Sequence, residues 1–153
     1  MPGRETPATR ALRDAGVAFE LREYEHDPAA GSYALEAADA LRLDPDSVFK
    51  TLVVDRDGTL TACLVPAAHQ LDTRALGKRV ALAQPDRAEK VTGYVTGGIS
   101  PFGQRRPLPT LVDETVEILD TVWVSGGRRG LEIGLVPDDL VAQLGAEVLP
   151  IAR

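Results

Sequence analysis

One cysteine, Cys63, and two histidines, His26 and His69, are all that this 153-residue chain has of the side chains most used for metal binding and nucleophile–base pairs. A lone cysteine excludes an internal disulfide and a cysteine-based zinc site. Neither histidine stands at ligand spacing to the other or to Cys63, so no metal site is expected. No stretch approaches the roughly 18 apolar residues that a membrane helix needs. The opening residues, MPGRETPATRALRDAG, carry no apolar run like that of a signal peptide, and a cytoplasmic location is expected. There is no GxSxG elbow, because Ser100 is followed by Pro101 and Phe102. Residues 98–105 imitate P-loop spacing but lack the lysine and hydroxyl that hold phosphate and magnesium. No dinucleotide fingerprint occurs either.

What is present is an ordinary globular balance, 44% hydrophobic and 26% charged, in a length that suits a single domain over residues 1–153. Seventeen basic residues against 23 acidic ones give a net charge of −6. That balance argues against a grip on nucleic acid by bulk electrostatics, yet leaves room for a small basic patch on an acidic body. Only Lys50, Lys78 and Lys90 are lysines, so one in an unusual place stands out.

Punctuation marks most elements. Thr6 is placed to cap a first helix with Pro7 at its first position and Gly16 after its end. Val17, Phe19 and Leu21 alternate with polar residues as a strand, with Tyr24 on the opposite phase unless a bulge intervenes. After the turn at His26-Asp27-Pro28, an Ala-rich helix is predicted over 33–43 with Leu35, Ala38 and Leu41 on one face. Residues 48–55, VFKTLVVD, and 59–65 flank an Asp-Gly turn, the pattern of a hairpin. Asp72 and Asp86 are placed to cap short helices over 72–76 and 86–91. Strands are expected near 108–112 and 116–119, then a second hairpin over Val122–Ser125 and Leu131–Leu135. Pro137 opens a last helix that Gly145 closes. About seven short strands with short helices between them indicate an α/β domain whose mixed sheet is curled into a barrel.

Two features carry possible chemistry. Lys50 sits in a strand mostly apolar on both faces; it either snorkels to water from the strand's start or aims its ammonium into a pocket. The Gly97-Gly98-Ile99-Ser100-Pro101-Phe102-Gly103 loop is either a plain turn or a nest of backbone N–H groups for an anion. Glu132 is opposite in phase to Leu131, Ile133 and Leu135, which on its own reads as a solvated face, and Ser125 lies across the hairpin from it. Arg128 and Arg129 at the hairpin tip face solvent or a phosphate, and Cys63 reads as a buried small hydrophobe.

Together Tyr24-Glu25-His26-Asp27-Pro28, Val48-Phe49-Lys50-Thr51-Leu52, GYVTGGISPFGQ over 93–104, Leu108-Pro109-Thr110 and VSGGRRGL over 124–131 occur in the order and spacing of the YbaK/EbsC family. The chain closely resembles its Cys-tRNA(Pro) deacylases from about Thr6 to the C-terminus. The resemblance implies a YbaK-like mixed sheet with flanking short helices, related to the insertion editing domain of prolyl-tRNA synthetases. It implies a trans-editing enzyme, with no cofactor, that removes cysteine mischarged on tRNA(Pro), and it names mischarged tRNA and prolyl-tRNA synthetase as partners. Lys50 matches the family's lysine and is the expected catalytic residue. Tyr24, Tyr33, Thr51, Gly97, Gly98, Ile99, Ser100, Pro101, Gly103, Ser125 and Glu132 match substrate-binding positions, with Glu132 standing where the family usually has aspartate. The family's mechanism needs no enzyme nucleophile, because the substrate thiolate attacks its own ester. Two other readings share the fold: a deacylase for another mischarged tRNA such as Ala-tRNA(Pro), and a non-catalytic tRNA- or nucleotide-binding module.

Overall fold

The first helix, α1 (Pro7–Asp14), is closed at its start by a reciprocal cap. The Thr6 hydroxyl accepts from the Thr9 N–H, and the Thr9 hydroxyl accepts from the Thr6 N–H. A computed structural model describes residues 3–153. After α1 follow β1 (Glu20–Glu23), α2 (Tyr33–Leu41), β2 (Phe49–Arg56), β3 (Thr59–Pro66), β4 (Val80–Leu82), α3 (Pro85–Thr92), β5 (Thr110–Asp113), β6 (Val122–Ser125), β7 (Leu131–Leu135), α4 (Pro137–Leu144) and β8 (Glu147–Leu149). Short 3-10 turns cover Pro45–Ser47, Thr73–Leu76 and Glu114–Ile118. None of these helices is long and apolar enough to cross a membrane.

The mixed α/β architecture is as expected, and the strands are hydrogen-bonded in two sheets. One has the order β1-β7-β6, the other β4-β2-β3-β5-β8. A parallel bridge, Val48 to Trp123, joins them. The principal core lies between the sheets, where Phe49, Leu64 and Val112 of one meet Val124, Ile133 and Leu135 of the other, with Ala8 and Leu12 of α1.

The β2–β3 hairpin folds as its sequence dictates. Arg56 pairs with Thr59 across Asp57-Gly58, whose φ values of 51° and 95° are those of a type I′ turn. Register then decides which way β2 faces. The carbonyl of Val53 accepts from Ala83 beyond the end of β4, so odd-numbered residues of β2 turn their peptide groups away from β3. β4 pairs only with Val54–Arg56, and β6 touches the same edge only at Val48. Between those contacts the peptide N–H and C=O of Thr51 face a gap. That gap is the candidate site.

Several expectations need correction. Alternation of Val17, Phe19 and Leu21 begins before the strand itself, which starts at Glu20. α2 ends at Leu41, because Arg42 takes a left-handed φ of 55°, and Leu35 is 41% exposed while Ala37 and Ala38 are buried. Asp86 is not an N-cap; Gln84 precedes α3, and Asp86 accepts from the Arg87 N–H inside the first turn. Residues 116–119 are not a strand. The Asp113 carboxylate accepts from the N–H and hydroxyl of Thr115 and winds the chain into the 3-10 turn.

Candidate active site

The gap along β2 opens into a cavity of about 320 Å³. Its apolar floor is Phe49, Leu52 and Val53, with Leu82, Ala83 and Ala88 on the β4–α3 side. Across from them stand Tyr24, Ser125 and Glu132, and Gly31 to Ala34 at the start of α2 close one end. Pairing explains how the far wall assembles. Arg22, Glu132 and Ser125 are direct partners across β1-β7-β6 and therefore share one face, with Tyr24 two residues along from Arg22.

Lys50 is half-buried in the other wall. Its ammonium reaches only the Ala67 carbonyl, at 3.5 Å, which leaves donors free, and burial lowers its pKa. Lys50 thus lines the cavity while part of its side chain stays in water. Thr51 beside it has a buried hydroxyl with no hydrogen-bond partner.

Alternation alone misplaces Glu132. It is 6% exposed, and its carboxyl opens on the cavity without a partner among the described residues. Burial pushes its pKa up to about 8, so the group is mostly protonated at neutral pH. The same face explains why: Gly134 lets the Trp123 ring lie flat on β7, and Arg22 stacks over that ring at 4.6 Å. Tyr24 is pushed up to about 12, first by burial and then by the Glu132 carboxyl.

Tyr33 is held from three sides. A Cβ at Gly97 would lie 2.6 Å from its ring, and Gly97 has φ +87°, so only glycine fits there. The Arg129 guanidinium covers the ring at 5.1 Å, with its Nε donating to the Thr96 carbonyl at 2.9 Å. His26 lies 5.6 Å away and is tied to α2 by Glu36, at 2.8 Å. Sequence reasoning missed this use of Arg129; its only signal was a cation at a hairpin tip. Arg128 is instead fixed structurally, donating to Glu23 and to the Gly3 carbonyl.

The structure thus brings Tyr24, Tyr33, Lys50, Thr51, Gly97, Ile99, Ser125 and Glu132 to one cavity. Gly98, Ser100, Pro101 and Gly103 lie behind it. Gly98 packs on the Arg128 backbone, and Gly103 packs on the carbonyl of Pro7. Ser100 is fully buried and accepts from the Phe102 N–H, and Pro101 is buried beside it. The expected nest of N–H groups is also partly occupied within the fold, since Gly98 donates to Val95 and Thr96 donates to Glu89. No cluster of His, Cys, Asp and Glu able to hold a metal occurs among the described residues.

A cavity with one ammonium, one neutral carboxyl, free edge amides and no histidine or cysteine is built to position and polarise a substrate rather than to attack it. The aminoacyl-tRNA editing domain family matches residues 27–142, and the chain belongs to that family. It is an aminoacyl-tRNA deacylase of the YbaK/EbsC type. A curated relative from Enterococcus faecalis, EbsC, named as a candidate Cys-tRNA(Pro)/Cys-tRNA(Cys) deacylase, is 29% identical over 147 residues, covering 91% of this chain and 88% of its own. A proline–tRNA ligase of Moorella thermoacetica is 30% identical over 98 residues, 61% of this chain and 17% of the ligase. The crystal structure of a protein described as a candidate trans-editing enzyme for prolyl-tRNA synthetase matches with a TM-score of 0.83 and 29% identity, over 96% of this chain and 95% of its own.

Proposed function

We propose that this deacylase acts in trans, as a single domain in the cytoplasm, to remove cysteine mischarged on tRNA(Pro), with the substrate's own thiol as the nucleophile. The observation that supports this most is the lining of the cavity, which holds polarising groups but no histidine or cysteine. Cys63 is no substitute: it is fully buried, and burial pushes its thiol up to about 11.

In the step proposed, the thiol loses its proton and the sulfur attacks the ester carbonyl carbon. A C–S bond forms, the bond from that carbon to the ribose oxygen breaks, and the ribose oxygen leaves and takes up a proton. Tyr24, Tyr33, Gly97, Ile99 and Ser125 would line the substrate, and Gly98, Ser100, Pro101 and Gly103 would support that lining from behind. Lys50 and the edge N–H of Thr51 face the developing negative charge, and such donors act strongly where water is excluded. Glu132 matters by being neutral. As an O–H it can donate to the ribose end, and it adds no negative charge to oppose the thiolate. With a net charge of −6, weak and salt-sensitive binding of tRNA is expected for the isolated protein, with recruitment aided by prolyl-tRNA synthetase.

Single-turnover deacylation of Cys-, Ser- and Ala-tRNA(Pro) tests the reading. Cysteine should be cleared fastest, serine much more slowly because its hydroxyl is a poor nucleophile at neutral pH, and alanine slowest. Equal rates for cysteine and alanine would overturn the thiol mechanism.

A further inference from the structure

A second concavity lies at the other end of β2, under the β2–β3 turn and the segment that enters β4, and it differs from the first in every respect. Its walls carry Arg56, Lys78 and Arg79 beside Thr59 and Thr61. The only carboxylate lining it is Asp57, whose contact with Arg79 is 3.7 Å long between side chains 75% and 83% exposed. Such an exposed pair is weak. Arg56 is anchored by one N–H to the Leu76 carbonyl at 3.2 Å, which orients its guanidinium while leaving donors over. Thr61 is 1% exposed and lines the concavity. Three cationic side chains lining one concavity against a single carboxylate, on a chain of net charge −6, form a local anion site.

Its place relative to the cavity says which anion. Lys50 and Arg56 share one face of β2, six residues and so about 20 Å apart. β4 runs directly between the two sites, with Leu82 at the cavity and Val80 at the groove. That span is too long for the terminal nucleoside that carries the amino acid, and one that a few further nucleotides cover. We propose that this groove binds phosphates of the tRNA acceptor strand upstream of the 3′ end, an inference that rests on the deacylase reading of the cavity. Long-range attraction is absent, so these few contacts set the register of the acceptor end on the enzyme.

Charge reversal at the two exposed cations tests it. K78E/R79E should raise KM for full-length Cys-tRNA(Pro) at least tenfold with kcat little changed. It should lower the slope of log KM against log salt by about one for each phosphate that the variant no longer neutralises. The cysteinyl ester of adenosine alone, which ends short of the groove, should be cleaved at the wild-type rate. R10E/R42E, which changes net charge equally at sites outside the groove, should leave KM for tRNA near wild type. An unchanged KM in K78E/R79E, or an equal rise in R10E/R42E, overturns the proposal. Binding of uncharged tRNA at low salt separates this from the cavity reading. If the wild type cleaves neither ester, the deacylase reading fails, whereas the groove still stands or falls on whether K78E/R79E loses RNA affinity.

Discussion

The two walls of the cavity carry ionisable groups of opposite sign, and burial moves both toward neutrality, but by different amounts. Lys50 stands in a strand edge with its end half in water, and burial lowers its pKa. Glu132 stands in a strand buried on both faces, near Tyr24, and is driven up to about 8. The depth of each wall therefore sets the balance of the site, with the carboxyl of Glu132 mostly neutral at neutral pH opposite the amine of Lys50. A thiolate and a tetrahedral oxyanion are both favoured there.

The largest effect should come from breaking the charged wall. Lys50→Ala should lower single-turnover deacylation by about 10²–10³, the range found when one stabilising donor is removed. Its fold should persist, because the ammonium makes only one contact, at 3.5 Å, and its burial is unfavourable. Circular dichroism and the thermal midpoint check the fold. Lys50→Arg should recover little, since a planar fork does not reproduce a point charge. A well-folded Lys50→Ala enzyme of near wild-type rate would mean that the charge lies elsewhere.

A smaller and more diagnostic effect concerns the neutral wall. In the wild type, ionisation of Glu132 should depress the rate as pH rises through about 8, against the rising fraction of substrate thiolate. Glu132→Gln keeps the shape and the neutral state, so its rate at pH 7 should be within a fewfold of wild type. The falling limb that Glu132 causes near pH 8 should be absent from the variant. Stability gives a second readout. The folded pKa is raised above the unfolded value of 4.5, so the advantage of the protonated group is complete below 4.5 and is lost as pH climbs to about 8. Across that window the wild type should lose up to about 1.4 kcal/mol per pH unit that Glu132→Gln does not lose. Thermal midpoints of the two proteins at pH 5 and pH 9 measure this, and parallel curves would mean that Glu132 is solvated.

The two walls are unequally legible in the sequence. Lys50 can be found because an Asp-Gly turn fixes the register of its hairpin, and a charge between Phe49 and the run Leu52-Val53-Val54 is conspicuous. Glu132 has the phase that alternation assigns it but not the environment. Alternation says which residues share a face and says nothing of what covers it. The cover here comes from Trp123 folding onto Gly134 and from Tyr24, contacts made across β1-β7-β6. The glycine loop shows the opposite limit. Its composition suits a nest, yet Gly98 and Gly103 are needed because backbone passes where a Cβ would sit, and only Gly97 and Ile99 of the loop's seven residues reach the cavity. Residues 116–119 fail as a strand because four alternating residues cannot outweigh a capping aspartate just before them.

The smallest effect expected belongs to the residue behind the charged wall. Cys63 is the cross-strand partner of Leu52, two residues along from Lys50, so it lies near the reacting centre and is a chemical nucleophile by type. Its surroundings are those of a core. It is fully buried among Val54, Val65 and Leu111, and its thiol is held up near 11, which leaves a negligible thiolate fraction at neutral pH. Cys63→Ala should therefore keep the deacylation rate within twofold. It should cost about 1 kcal/mol, the contribution of one buried methylene-sized group, seen as a fall of about 2–4 °C in thermal midpoint. A well-folded Cys63→Ala protein without activity would break the comparison of the walls, because the attacking sulfur would then belong to the enzyme and sit on the Lys50 side.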